Sequence, residues 1–171
     1  EIAIPWKALA EHANRPTPPK EGDQWRVNFS RVEWITNIID GKYRKLPKHR
    51  EDNWVWSPQG VIDMHRPERW GYVQFAAGAR GATPFRPDPT SPARDRLMSV
   101  YQAQRAYHKA NDGRWAGSID QLGLSKDLCD PSKPITLQLT DKGFEATLET
   151  PTADGSKKKL HIRQDSRIWL D

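Results

Sequence analysis

Hydrophobic and polar positions alternate over several short runs of the chain and follow a helical period over one long run. Ile2 and Ile4 alternate with Glu1 and Ala3 ahead of Pro5, which predicts a short strand followed by one helical turn over 6–11. The run 24–34 (QWRVNFSRVEW) sets Trp25, Val27 and Phe29 on one side and Arg26, Asn28 and Ser30 on the other. That pattern predicts one strand with a polar face. Residues 36–52 show no period and read as a long surface loop. A short strand over 53–57 with Trp54 and Trp56 on one face, a turn at Pro58-Gln59-Gly60, and a strand over 70–75 come next. Trp25, Trp54 and Trp70 are expected in the core, because an indole buries so much area.

The pattern changes at Ala76. Residues 76–91 are rich in Gly, Ala and Pro and read as a linker. Ser91 as N-cap and Pro92 at the first helical position open a helix that runs to about Ala110. Its apolar face is Leu97, Val100, Tyr101, Ala103, Tyr107 and Ala110. Asn111-Asp112-Gly113 ends it, and Ser118–Gln121 has the spacing of a capping box for a second short helix. Two alternating runs over 135–140 and 143–150 flank a turn with Gly143 in a left-handed position, and 160–162 pairs with 167–170. Residues 92–171 therefore read as a small α+β tail: one long helix and an antiparallel meander.

Composition narrows the function classes. The 171 residues carry a net charge of +5, but cations and anions are interspersed along the whole chain. Without a basic stripe, nucleic acid is not an expected partner. No apolar run approaches the ~20 residues of a membrane-spanning helix. The one cysteine, Cys129, excludes an internal disulfide, and Asp127 and Asp130 beside it oppose a reactive thiolate. GxSxG, HExxH, P-loop and CxxC patterns are absent, and His108 and His161 read as single imidazoles without clustered partners. The expectation is a non-catalytic protein. Because Glu1 falls inside an apparent strand, residues upstream of it are also expected, any signal peptide among them.

The densest chemistry lies in 53–75 (NWVWSPQGVIDMHRPERWGYVQF), which holds three of the eight tryptophans. Asp63, Met64, His65 and Arg66 put an acceptor, a soft contact, an amphiphilic ring and a donor into four residues. On residue chemistry alone, Asp63 either caps a turn or accepts from a ligand. Arg31 and Glu33 either pair with each other or hydrogen-bond a polar ligand. Trp56, just before the Pro58 turn, either packs into the core or stays exposed as a flat platform for a ligand.

Together with EIAIPW and GDQWRVNFSRVEW, this stretch resembles the carbohydrate-binding module family 9-like domains, relatives of the DOMON-type β-sandwiches. The likeness covers residues 1–75. It implies the C-terminal half of an antiparallel β-sandwich, with the N-terminal half missing and supplied as a separate chain or as upstream residues. The resemblance further implies glycan binding by an exported, periplasmic or extracellular bacterial module associated with polysaccharide breakdown. Its site would comprise Trp56, Asp63, Met64, His65, Arg66, Arg31 and Glu33. The family clamps a sugar between two tryptophans. The second falls at or near Met64 here, so Trp56 or His65 would have to substitute. Calcium accompanies the family, but no ligand for it is identifiable in this segment, and no cofactor is expected. Some DOMON relatives bind haem through Met and His. Met64 and His65 are adjacent and would face opposite ways on a strand, so both cannot serve one iron. The remaining alternatives are a structural or protein-interaction domain with a vestigial sugar site, and a glycan-active enzyme. Within the tail, YQAQRAYHKANDGRWAGSIDQLGL resembles the segment after the long helix in pilin-like proteins.

Overall fold

The computed structural model describes residues 2–11, 13, 15–79, 81–125, 128 and 130–171. The readings made at Glu1 and Cys129 lie outside them. The chain forms two compact units, Glu1–Phe85 and Arg86–Asp171. Strands dominate, all pairings are antiparallel, and the individual sheets are small.

The first unit holds a one-turn helix α1 (Trp6–Leu9) and strands β1 (Gln24–Val27), β2 (Ser30–Glu33), β3 (Thr36–Ile39), β4 (Lys42–Lys45), β5 (Asp52–Val55) and β6 (Gly71–Gln74). Pairing is nested: β3 with β4, β2 with β5, β1 with β6. The innermost turn is Asp40-Gly41, both left-handed at φ 53° and 72°. Such a pair closes a two-residue hairpin whose twist matches its strands. Leu46 N–H to the Ile35 carbonyl (2.9 Å) and Trp56 N–H to the Phe29 carbonyl (3.1 Å) extend the ladder beyond the strands.

Three expectations are corrected here. Residues 2–5 form no strand; only the helical turn after Pro5 is present. The run 24–34 is two strands, broken at Asn28-Phe29, each in a different ribbon. The stretch 36–52, expected as a loop, contains the β3–β4 hairpin.

Apolar burial in this unit is shallow. None of its described hydrophobic side chains is buried. Trp25 packs edge-on against Phe75 and Trp6, with ring centroids 5.1 and 5.9 Å away. Trp54, expected in the core, is 62% exposed. The reason is topological: a two-stranded ribbon has nothing on its second face to bury a ring against.

The second unit carries α2 (Ser91–Ala110) and β7 (Thr136–Thr140), β8 (Gly143–Pro151), β9 (Lys157–Arg163) and β10 (Ile168–Leu170). The sheet order β10-β9-β8-β7 is the expected meander. Phe144, Ala146 and Leu148 of β8 and Leu160 and Ile162 of β9 alternate onto one face. There they form the core with Ala93, Leu97 and Val100 of α2. Helix capping differs from expectation. Asp88, not Ser91, organises the start: its carboxylate accepts from the Thr90 N–H and hydroxyl, both at 2.8 Å. Near Ser118, Gln121 Oε1 accepts from the N–H groups of Gly117 and Ser118 at 2.8 and 3.3 Å, and a 3₁₀ turn Asp120–Leu122 follows.

Gln104 is a polar residue at the heart of this core. Fully buried, it donates to the Ala116 carbonyl (2.9 Å) and accepts from the Ala116 N–H (3.0 Å). Gln104→Leu leaves both buried backbone groups unpaired, at about 1–3 kcal/mol for each such group. The expected outcome is a lower urea midpoint with an unchanged slope.

The turn between β9 and β10 is tied by Asp165. Its carboxylate takes two hydrogen bonds from Arg163 Nε at 2.9 and 3.0 Å and one from Nη2 at 2.7 Å. Those bonds, ahead of the Arg167 N–H and the Arg163 charge, hold its pKa down at about 2 against an ordinary 3.8. A depressed carboxylate contributes stability that is present above the unfolded value and lost as pH falls through the folded one. The turn should therefore loosen between pH 3.8 and about 2. A carbon-detected NMR titration of the Asp165 carboxyl checks this.

His161, read as an isolated imidazole, has partners. Its ring lies 2.8 Å from Glu145 Oε1 through Nδ1 and 2.9 Å from Asp171 Oδ1 through Nε2, and it stacks on Trp169. Sequence distance hid this cluster; strand register brings it together.

Candidate functional site

Trp56 is the best-defined element of the expected site. Its indole N–H donates to the Val27 carbonyl at 2.9 Å, and Phe29 meets it edge-on at 5.8 Å. The ring also lies over Gly71: a Cβ there would come within 2.8 Å of the indole and 2.7 Å of Ser57. Glycine is needed at 71 because the ring occupies the side-chain space. Trp56 is nonetheless 46% exposed. A flat apolar face is thus held in place and partly open to solvent.

The turn 63–66 has its own anchors. Trp70 donates its indole N–H to the Met64 carbonyl at 2.8 Å. Asp63 Oδ1 accepts from the His65 N–H at 3.0 Å, so the carboxylate closes an Asx-type turn. Arg66 Nε donates to Glu68 Oε1 at 2.7 Å across the start of a 3₁₀ turn, Pro67–Arg69. Asp63 and His65 are exposed, and Met64 and Arg66 half-buried. Trp56 rests on Gly71 and this turn on Trp70, neighbours on extended backbone whose side chains leave it on opposite sides. Arg26 secures the same corner, donating to the Glu68 carbonyl and lying 4.5 Å from the Tyr72 ring centroid.

Arg31 and Glu33 stand on β2 and form an ion pair with each other. The register sets Arg31 opposite Trp54 and Glu33 opposite Asp52, which gives these four residues one ribbon face. No match was found among family models, curated proteins or solved structures.

Beyond Trp56, the ribbons present Trp54 (62% exposed) and Trp34 (48%), the latter with Lys45 Nζ 5.0 Å from its ring centroid. Trp34 was not among the expected site residues. The signal available in sequence was its place at the end of a strand, where a ring has no next pair to pack against. Among the described residues, no three His, Cys, Asp or Glu side chains converge to hold a metal ion. No described helix is long and apolar enough to cross a membrane.

Proposed function

We propose that residues 1–75 are the C-terminal half of a carbohydrate-binding β-sandwich of the family 9-like type, and that this module binds glycans without catalysis. The observation that carries the reading is the fixed, half-exposed indole of Trp56, in the same unit as the exposed side chains of Asp63 and His65. A pyranose presents an apolar C–H face to such a ring and hydroxyls to the polar side chains around it. Met64, half-buried at the position of the family's second clamp, adds a soft apolar contact rather than a stacking plane. The reading calls for a second layer of strands facing residues 1–75. Exposed Ile38, Trp54 and Val55 support that, as do two buried donors without acceptors among the described residues, Trp25 Nε1 and Gln59 Nε2. Export beside a polysaccharide-degrading system follows from the same resemblance.

Intrinsic tryptophan emission, recorded against a panel of mono- and oligosaccharides, tests the proposal. A saturable shift with at least one sugar is the expected outcome; emission that stays unchanged across the panel contradicts it. The second reading is a protein-interaction domain with a vestigial sugar site. The wide exposure of apolar side chains along the β2–β5 and β3–β4 ribbons favours it. It predicts no sugar response and a tight complex with a protein partner.

A further inference from the structure

The second unit contains a groove that the glycan reading of residues 1–75 does not use. It has a volume of about 660 Å³, within the ordinary range for small-ligand sites. Strand lengths create it. β7 begins at Thr136, opposite Thr147, whereas β8 runs on to Pro151 and stays paired with β9 as far as Lys157. Leu148–Pro151 therefore have a neighbour on one side only. The first turn of α2, through Pro92 and Ala93, and the segment Ser132–Pro134 border the gap this leaves.

The lining is cationic and rich in hydroxyl and amide groups. Arg96, Lys133, Lys157 and Lys159 contribute four positive charges, against the carboxylates of Glu145 and Glu149. Glu145 is already engaged by His161. Arg96 is fixed, donating to the carbonyls of Leu128 and Lys133 at 2.8 Å each. Among the described residues, Lys133, Lys157 and Lys159 make no ion pair. Asp130, two residues before Ser132 of the lining, is committed locally, accepting from the Ser132 hydroxyl and N–H at 2.7 and 2.9 Å. Gln138 and Thr147 line the same wall.

We propose that this groove binds an acidic oligosaccharide, one that carries carboxylates on sugar rings. The lysines meet the carboxylates; Thr147, Gln138 and Glu149 meet hydroxyls. Pro89, Pro92, Pro134 and Pro151 give the groove C–H surface without N–H donors. That feature decides against an acidic peptide. A peptide would add to the free edge of β8 as a strand, but Pro151 ends that edge without a donor, and Pro134 stands where β7 would otherwise continue.

The inference stands apart from the site around Trp56, and residue-resolved NMR keeps the two distinguishable. The full chain is titrated with tri- to pentagalacturonate, a neutral cello-oligosaccharide and oligoglutamate while amide shifts are followed. Galacturonate should shift the amides of 147–150 and 157–161 saturably. Raised salt should weaken the binding, and the neutral sugar should leave these amides unmoved. The double variant Lys157→Gln/Lys159→Gln should lose at least tenfold in affinity while its circular dichroism and melting temperature stay unchanged; these lysines are exposed, so folding does not depend on them. Three outcomes overturn the proposal: no shifts at 147–161, an affinity unchanged in the double variant, or oligoglutamate bound as tightly as galacturonate.

Discussion

Phe144→Ala is expected to cost the second unit about 3–5 kcal/mol, the usual toll of emptying a large aromatic site in a core. Phe144 has no exposed surface, and its ring centroid lies 5.1 Å from that of Trp115. It sits on β8 among Leu97, Val100, Leu160 and Ile162, so α2 and the central strands all lose contacts at once. A domain of this size is stable by only about 5–15 kcal/mol in total. The variant should therefore melt many degrees lower, or fail to fold at physiological temperature. Helical ellipticity followed through a thermal or urea transition reads this directly, since α2 is the long helix of the unit. A loss below about 1 kcal/mol would mean that the core does not close around β8 as described.

Trp56→Ala should abolish measurable glycan binding in the first unit. Burying an indole face against a sugar ring is worth about 1.5–3 kcal/mol, a factor of ten or more in Kd. Module–sugar affinities start low, because the hydroxyls are well hydrated before binding, so such a loss takes binding out of range. Alanine also removes the hydrogen bond to the Val27 carbonyl and the packing over Gly71, and folding has to be controlled. Trp56→Phe supplies the control: it keeps a flat ring, loses the N–H and the second ring of the indole, and should retain part of the affinity. Equal affinity in wild type and Trp56→Ala would remove the stacking role from Trp56.

How far the sequence spoke for the structure depended on the kind of signal. The 3.6-residue period over 91–110 and the alternation over 136–150 were legible because one face of each element is buried, and burial imprints a period. Even so, that period overrated Ala110, which is exposed, and missed Gln104, a polar side chain at a core position. Its two bonds to Ala116 cannot be read from hydropathy. The β3–β4 hairpin is invisible to alternation because all eight of its residues are exposed. Its one signal was the Asp40-Gly41 pair, a turn former inside an otherwise aperiodic run. The single strand expected over 24–34 failed for a related reason: alternation does not reveal that the ribbon changes partner at Asn28-Phe29.

The candidate site was legible as composition and less so as geometry. Asp63 is open in sequence between capping a turn and meeting a ligand, and Arg66 reads there only as a donor. In the folded chain each has an intramolecular partner, the His65 N–H and Glu68. Trp54 was expected inside and lies outside. What could not be read at all is the position of Trp56 over Gly71, which depends on the return of β6 beside β1. The groove of the second unit was equally hidden. Nothing in the Lys157-Lys158-Lys159 run announces a groove; the shortness of β7, which leaves Leu148–Pro151 without a partner on that side, makes it.

The measurement closest to the central claim is a calorimetric titration of the whole protein with neutral oligosaccharides. Saturable heat with at least one of them, lost in Trp56→Ala and partly kept in Trp56→Phe, is the predicted result. No heat with any sugar would contradict the assignment of residues 1–75 as a glycan-binding module.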